Sequence, residues 1–575
     1  MSPFQLLLSI LATSVLLAGC SRDQQEAPAP LADLLLTNGK VYTMDAERTW
    51  AEAVAIRDGR IIFVGSSADA KQHTGSATEV VDLEQKMLLP SFQDVHIHPI
   101  GGGLAYLSCT LFDESGLDAA LAKIARCVAE NPDADAIVGT GWDWGMFIGE
   151  ATPDKELLDA IDNSRPLIFG DGDGHTLWVN SAALALAGVT ADTPDPEGGA
   201  IGRVAGSTEP SGTLLEGPGM ALLRSKLPAT SLEEKEQGLL YAQRYLLGLG
   251  ITAMQDAMVF LAADDEASNL ATYRSLQEKG QLKLRVRAAI YWDPAKGLAQ
   301  IPAIKAASTE FSKGRLQVTS VKFWADGILE THTARLLEPY TDKPDTLGLL
   351  MVPLDDMMAA VPLLDAAGFQ IHIHAIGDGT VRYALDAIEK ARDTNGVRDA
   401  RHFIAHTQLI HPDDMGRFVK LQTVATFSPY WAFSDDYTAI INPPQLGEER
   451  MKTMFPIAEV LATGARVAFG SDWSVSTADP LLGIEVAVRR QDPEDTTAPV
   501  FMPEQRISLD AAIAGYTIEA AYTNFLDDDT GSVEVGKYAD LIILSDNLFD
   551  IPTVQISNAK VLATLLEGEL VYGEY

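Results

Sequence analysis

The feature that most limits the fold is a long alternation of short apolar runs and helical segments between residues 136 and 473. Nine runs have the composition of buried strands: "AIVGTGW", "PLIFGDG", "GITAMQDA", "LRVRAAIYW", "QVTSVKFWADG", "FQIHIHAIGD", "RHFIAHTQ", "QTVATFSP" and "RVAFGSDW". The segments between them, such as "LEEKEQGLLYAQRYLLGLG", have helical spacing and end at glycine. This alternation is typical of a parallel β/α array, and about eight or nine strands fit a closed barrel better than an open sheet.

Both ends of the chain have a different pattern, in which short alternating segments are separated by glycine-containing or acidic turns. Examples are "AEAVAIRDGRIIFVG" near the start and "GSVEVGKYADLIILSDN" near the end. We therefore predict a distorted (β/α)8 barrel of the TIM type over residues 91–528. Residues 32–90 and 529–575 are predicted to form one small β-sandwich. The Gly- and Pro-rich stretch near residues 190–216 is predicted to be an insertion over the site.

Polar side chains stand where the predicted strands end, and active sites of β/α barrels are assembled at that edge. The stretch "DVHIHP" places His96 and His98 on one face of the first strand, because residues two apart in a strand point the same way. A short H-x-H pattern also fits a half-buried strand with histidines on its polar face. Four more residues follow or end other strands: Lys322, His374, His406 and Asp472. Histidine and carboxylate donors at converging strand ends suit zinc or a similar divalent ion.

The chain resembles the metal-dependent amidohydrolase superfamily, and within it the YtcJ-like branch, which is similar to N-substituted formamide deformylases. The matching stretches are "LLPSFQDVHIHP", "GDGHTLWVNSAAL", "VKFWADG", "HAIGD", "AHTQ", "GSDW" and "VGKYADLIIL". The resemblance covers nearly the whole chain after its first residues. It implies one or two divalent metal ions, zinc by expectation, and a small-molecule amide substrate.

The same resemblance implies the metal ligands. His96 and His98 would bind one metal together with Asp472, and His374 and His406 would bind the second. A carboxylated Lys322 would bridge the two ions. An ordinary ammonium beside two cations is repelled, so this lysine must be neutral or converted to an anionic carbamate.

The expected reaction is hydrolysis of a non-peptide C–N bond by a metal-activated hydroxide, with Asp472 as general base and then general acid. His175, in "DGHTLWVN", is expected to polarise the substrate carbonyl or orient the substrate. Trp178 and His332 are weaker candidates for substrate binding, and packing is the alternative for Trp178. Asp326 is expected to orient its neighbours, and Asp378 is a candidate for positioning an imidazole.

His372 shares a strand face with His374, so the residues alone do not decide which of the two is the ligand. The resemblance places the ligand immediately before "AIGD", which selects His374.

Charge and composition limit the partners. The formal net charge of −37, from 80 acidic and 43 basic residues, opposes binding to nucleic acid. The composition is that of a globular protein. The oligomeric state is left open.

The first twenty residues predict an export signal, because the apolar run "FQLLLSILATSVLLAG" is followed at once by "CSRDQQEAPAP". The stretch "LLAGC" resembles a bacterial lipobox, in which Cys20 would be lipidated. Residues 21–31 would then be a tether, and the protein would face the periplasm from a membrane of the cell envelope. Cys109 and Cys127 could form a disulfide or remain free thiols.

Two other functions compete with an amide hydrolase. A mononuclear deaminase on the same fold would lack the bridging lysine. A lipid-anchored solute-binding protein would be expected to have lost the ligand set, which this sequence retains.

Overall fold

A computed structural model describes residues 29–114, 116–147, 152–172, 174–261 and 268–575. Its centre is a sheet of eight parallel strands in chain order, here called barrel strands 1 to 8. They are Phe92–Ile97, Ile251–Val259, Arg285–Tyr291, Leu316–Trp324, Gln370–Ala375, Phe403–His406, Val424–Phe427 and Val467–Phe469. The predicted distorted barrel with an additional small β-domain is confirmed.

The barrel closes where barrel strand 8 meets barrel strand 1. The backbone N–H of Asp472 donates to the carbonyl of His96 at 2.8 Å, and the N–H of His98 donates to the carbonyl of Trp473 at 2.9 Å. Every residue of barrel strand 1 is buried, as expected for a strand covered on both faces.

Helices surround the barrel and cover its apolar strands. The helix before barrel strand 2 begins with a capping box, in which Ser231 and Glu234 satisfy each other's backbone N–H groups. The α-helices around the barrel are Pro99–Leu107, Leu232–Gly248, Asn269–Glu278, Ile301–Phe311, Leu354–Ala366, Asp378–Asn395, Pro412–Leu421, Asn442–Met451, Ile457–Ala462, Pro480–Arg489, Leu509–Tyr516 and Ile518–Thr523, and the β-domain has the short helix Ser67–Ala70.

The two ends of the chain form the small β-domain together. One sheet contains Leu34–Thr37, Ala53–Arg57, Arg60–Gly65 and Glu79–Asp82. The other contains Lys40–Tyr42, Trp50–Ala51, Met87–Pro90, Leu541–Leu544, Val561–Leu566 and Glu569–Gly573. Their shared core joins residues from both ends, including Leu36, Val54, Leu88, Leu541 and Ile543.

A third sheet lies between barrel strands 1 and 2 in the sequence, and it corrects two predictions. Its strands are Cys109–Thr110, Ile137–Trp142, Leu167–Asp171, Thr176–Val179, Ala200–Arg203 and Pro210–Leu215. Its helices are Leu117–Glu130, Lys155–Asp159, Ser181–Ala187 and Glu216–Arg224. The runs "AIVGTGW" and "PLIFGDG" therefore belong to this sheet and not to the barrel. The insertion is also much larger than the predicted residues 190–216, which supply only its edge hairpin.

The physical reason for the error is that the first three strands of this insertion sheet are parallel to one another. A buried parallel strand has the same apolar composition in either sheet, so the pattern does not say which sheet it joins. Cys109 and Cys127 form a disulfide within the insertion, which answers the question that the sequence left open.

The predicted signal peptide and Cys20 lie outside the described residues. Within the part of the chain that the structure describes, no helix has both the length and the apolar character needed to cross a bilayer.

Candidate metal centre

The two histidines of "DVHIHP" stand at the carboxyl end of barrel strand 1 and face the end of barrel strand 8. One ligand atom each from His96, His98 and Asp472 lie within 4.8 Å of one another. Oδ1 of Asp472 is 3.0 Å from Nε2 of His98 and 3.3 Å from Nε2 of His96. The barrel thus brings Asp472 beside two histidines that are far from it in the sequence.

The other three predicted ligands adjoin this group. Nζ of Lys322 is 3.5 Å from Nε2 of His96. The ring of His406 has its centroid 4.6 Å from that of His96 and 4.5 Å from that of His374. All six residues named from the sequence therefore form one cluster at the carboxyl-terminal edge of the barrel.

The cluster contains buried polar atoms that no protein group satisfies. Both ring nitrogens of His406 and Oδ1 of Asp472 are buried without a hydrogen-bond partner among the described residues. Buried polar atoms in native proteins are almost always paired, because leaving one unpaired costs free energy. Imidazole nitrogens and a carboxylate oxygen are ligands for zinc and related ions, so these residues fit a divalent cation.

Burial sets the protonation of the donors. It lowers the pKa of His96, His374 and His406, which favours the neutral imidazole that binds metals. Burial also lowers the pKa of Lys322 to about 7, against the opposing charge of Asp472. For Asp472 burial would raise the pKa, but the adjacent imidazole of His98, 3.0 Å away, helps to hold it below the ordinary value.

Asp326 holds His374 in place. Its Oδ1 lies 3.0 Å from Nδ1 of His374 and accepts the backbone N–H of Ile376 at 3.1 Å. This directs the other ring nitrogen of His374 away from the carboxylate, and it agrees with the orienting role expected for Asp326. Asp378, the other candidate, instead accepts the backbone N–H of Leu337 at 2.9 Å.

His175 lies beside the cluster and is held by a residue that the sequence reasoning missed. Nδ1 of His175 is 2.8 Å from Oε2 of Glu216, whose Oε1 accepts the hydroxyl of Thr333 at 2.7 Å. The ring of His175 is 5.1 Å from that of Trp324 and 6.1 Å from that of His374, measured between centroids. No motif marks Glu216, because a single glutamate after a strand is usually solvent-exposed.

The backbone is strained at three positions of this candidate site. Glu216, His406 and Asp472 have φ angles of 59°, 74° and 57°, in the left-handed region that side chains with a Cβ rarely adopt. Such conformations cluster at functional sites, where the surrounding structure holds them.

Two predicted substrate-binding residues have other surroundings. Trp178 is completely buried, donates its indole N–H to the carbonyl of Asp154 at 2.9 Å, and packs in the core of the insertion. We therefore assign Trp178 to packing. His332 has Nε2 2.9 Å from a carboxylate oxygen of Asp342 and Nδ1 3.3 Å from Nζ of Lys343. These contacts account for both of its ring nitrogens, so the structure gives no support to substrate binding by His332.

The chain is similar to known proteins over most of its length. Residues 79–572 match the model of the amidohydrolase family. Protein LONG AFTER FAR-RED 3 of Arabidopsis thaliana is 34% identical over 94% of this chain and 92% of its own length. The putative amidohydrolase YtcJ of Bacillus subtilis is 29% identical over 93% of this chain and 98% of its own length. The N-substituted formamide deformylase of Arthrobacter pascens is 25% identical over 94% of this chain and 98% of its own length.

A solved structure has a similar fold. An uncharacterized metal-dependent hydrolase from Pyrococcus horikoshii superposes with a TM-score of 0.71 at 25% identity, over 90% of this chain and 99% of that one. The resemblance inferred from the sequence motifs is confirmed, and the chain belongs to the amidohydrolase family.

Proposed function

We propose that this protein is a metal-dependent hydrolase that cleaves a non-peptide C–N bond in an amide or N-acyl compound. The observation that carries the proposal is the grouping of His96, His98 and Asp472 beside the unpaired ring nitrogens of His406. Such a set of inward-facing donors leaves buried polar atoms unsatisfied unless a cation occupies the site.

The ligand assignment is the one that the family resemblance implies, and the proximity of the six side chains supports it. His96, His98 and Asp472 would hold one divalent ion, and His374 and His406 would hold the other. Lys322, which points into the same cluster, would bridge them as a carbamate. Bound zinc or a similar ion would lower the pKa of a water molecule and polarise the scissile carbonyl.

Carboxylation of Lys322 requires a neutral amine, and its buried position supplies one. With a pKa of about 7, a large fraction of Lys322 is unprotonated near neutral pH. The Nζ lone pair attacks the carbon of CO₂, a nitrogen–carbon bond forms, and one proton leaves the nitrogen for solvent. The product carries a negative charge, which removes the repulsion between an ammonium and nearby cations.

Asp472 and His175 have different proposed roles in the reaction. Asp472 accepts the proton of the attacking water and passes it to the leaving nitrogen, so that the amine departs as a neutral group. His175, held through Nδ1 by Glu216, orients the substrate or stabilises the oxygen of the scissile carbonyl as charge develops there.

The substrate is proposed to be a small amide. The similarity to the N-substituted formamide deformylase supports this class. The indole of Trp431 lies parallel to the ring of His406 at 5.4 Å between centroids, which supplies an apolar wall for an acyl or N-substituent.

Metal analysis and a substrate screen test the proposal. We expect two divalent ions per chain in the purified protein, and hydrolysis of at least one N-formyl, N-acyl amino acid or cyclic amide substrate. Lys322→Ala should lose metal and activity together, whereas Lys279→Ala, which removes a lysine paired with Glu236, should keep both. One metal retained in Lys322→Ala would favour the mononuclear deaminase, and a wild-type protein without metal affinity would refute a metal-dependent hydrolase.

We also propose that the protein is exported and anchored to the cell envelope through Cys20. The disulfide between Cys109 and Cys127 supports an oxidising compartment, since cytosolic thiols are usually kept reduced. Cell fractionation tests this directly: the wild-type protein should sediment with membranes, and Cys20→Ala should release it. Equal membrane association of both proteins would contradict anchoring at Cys20.

A further inference from the structure

We propose that Gln370, Gln255 and His372 form a buried hydrogen-bond chain that fixes the tautomer of His96, so that Nε2 of His96 is presented for metal binding. The four side chains come from barrel strands 1, 2 and 5 and are at most 3% exposed. The inference rests on the proposed metal centre and adds His372, Gln255 and Gln370 to it as positioning residues.

The hydrogen-bond chain begins at two backbone carbonyls, which can only accept hydrogen bonds. Nε2 of Gln370 donates to the backbone carbonyl of Arg401 at 2.7 Å and to that of Thr523 at 2.8 Å. A flipped amide would turn its oxygen toward both carbonyls, so the orientation of Gln370 is determined. Its Oε1 therefore faces the barrel interior, where it accepts the hydroxyl of Ser320 at 2.6 Å.

Gln370 determines the orientation of Gln255. Nε2 of Gln255 donates to Oε1 of Gln370 at 3.2 Å. A reversed Gln255 would place two amide oxygens against each other in a dry environment. Oε1 of Gln255 is consequently the atom that meets Nδ1 of His372, at 2.9 Å.

The histidine tautomers follow in turn. Because the Gln255 oxygen only accepts, Nδ1 of His372 carries the hydrogen, and in the neutral ring Nε2 has a free lone pair. That atom lies 2.8 Å from Nδ1 of His96, so His96 donates from Nδ1. Nε2 of His96 then has its lone pair free, at the position facing Asp472 and Lys322.

One contact competes with this assignment. Nζ of Lys322 also lies 3.4 Å from Nε2 of His372. Hydrogen bonds weaken with distance, and the 2.8 Å contact from His96 is at the optimum for a nitrogen donor. His96 therefore holds the His372 lone pair.

This arrangement separates the roles of two histidines that share one strand face. His374 is held by Asp326 and faces His406, whereas His372 lies behind His96 and supports it. Groups that orient a metal-bound histidine through its second nitrogen typically change metal affinity by about 10–100-fold when removed.

The proposed hydrogen-bond chain can be tested through the affinity of the protein for Zn²⁺. This affinity is measured by competition with a chromophoric chelator. Gln255→Leu should weaken the tightest site by about 10–100-fold, although the hydrogen bonds of Gln255 described above go to Gln370 and His372 and not to a proposed ligand. His372→Phe should have a similar effect, and the double variant should be no weaker than His372→Phe alone. Gln505→Leu is the matched control, because Gln505 is equally buried and accepts two backbone N–H groups elsewhere.

An unchanged affinity for Zn²⁺ in Gln255→Leu, or additive losses of this affinity in the double variant, would overturn the proposed hydrogen-bond chain. A second measurement does not depend on metal. The ring ¹⁵N shifts of metal-free protein, assigned by comparison with His372→Phe, should show His372 protonated at Nδ1. Protonation at Nε2 would overturn the chain, while a wild-type protein that fails to bind Zn²⁺ would instead refute the proposed function.

Discussion

The backbone N–H of Asp472 donates to the carbonyl of His96 at 2.8 Å, so the closure of the barrel and the assembly of the candidate metal centre occur at the same place. The side chains of these two residues meet on the same edge, with Oδ1 of Asp472 3.3 Å from Nε2 of His96. A displacement of either strand would therefore change the distance between the two donors.

Asp472→Asn should reduce kcat by about 10²–10⁴-fold, because an amide of the same shape cannot take and return a proton. The measurement is product-amine release with the best substrate from the screen, on protein of known metal content. The variant should unfold at nearly the wild-type temperature. Activity within a few-fold of wild type at full metal occupancy would remove Asp472 from its proposed role.

His175→Asn and Glu216→Gln should each lower kcat by about 10–100-fold, since Glu216 is expected to act through the orientation of His175. The double variant should be no slower than His175→Asn alone, because the two residues act as one unit. Steady-state kinetics and metal content are measured together, and metal content should stay unchanged.

Glu485→Gln is the control for the loss of a buried carboxylate outside the site, since Glu485 pairs with Arg489 and accepts the N–H of Ser557. This variant should change stability and leave kcat near wild type. Fully additive effects of the His175 and Glu216 substitutions would show that Glu216 acts independently.

Removing the disulfide with Cys109→Ser and Cys127→Ser should destabilise the insertion by about 3 kcal/mol, as estimated for a closed loop of this size. The two cysteines are 18 residues apart and connect the first insertion strand to the helix Leu117–Glu130. Chemical denaturation with and without a reductant measures the effect. Equal stability of the oxidised, reduced and doubly substituted proteins would contradict it.

The buried histidines of the metal-free protein should contribute a loss of stability as the pH falls below 6.5. Burial lowers the pKa of five histidines from this ordinary value: His96, His372, His374, His402 and His406. Their folded pKa values are depressed, so at these histidines the unfolded chain binds more protons below pH 6.5, and their contribution favours unfolding there. Each histidine contributes up to about 1.4 kcal/mol per pH unit.

Urea unfolding at pH 7.5, 6.5 and 5.5 measures this dependence. His402→Gln provides the control, because His402 pairs with Asp365 and lies outside the metal centre. Its slope of unfolding free energy against pH should be smaller than that of the wild type by about one proton. An identical slope would show that His402 is not kept neutral by the fold.

The sequence predicted where buried strands occur, but it did not predict which sheet each strand joins. Seven of the nine apolar runs form barrel strands 2 to 8, and "DVHIHP" ends barrel strand 1. The other two runs belong to the insertion, because apolar composition reports burial and does not identify the neighbouring strand. The choice between His372 and His374 likewise needed more than spacing, since both side chains point to one face.

What the sequence alone determined was the barrel and the residues at its active edge. Strands of a parallel barrel all end on the same side, so polar residues at strand ends must converge whatever lies between them in the chain. Only the tertiary structure showed which other side chains support these residues through hydrogen bonds. Gln255, Gln370 and Glu216 acquire their roles from single atoms on distant strands, and hydrogen-bond direction depends on which atoms meet.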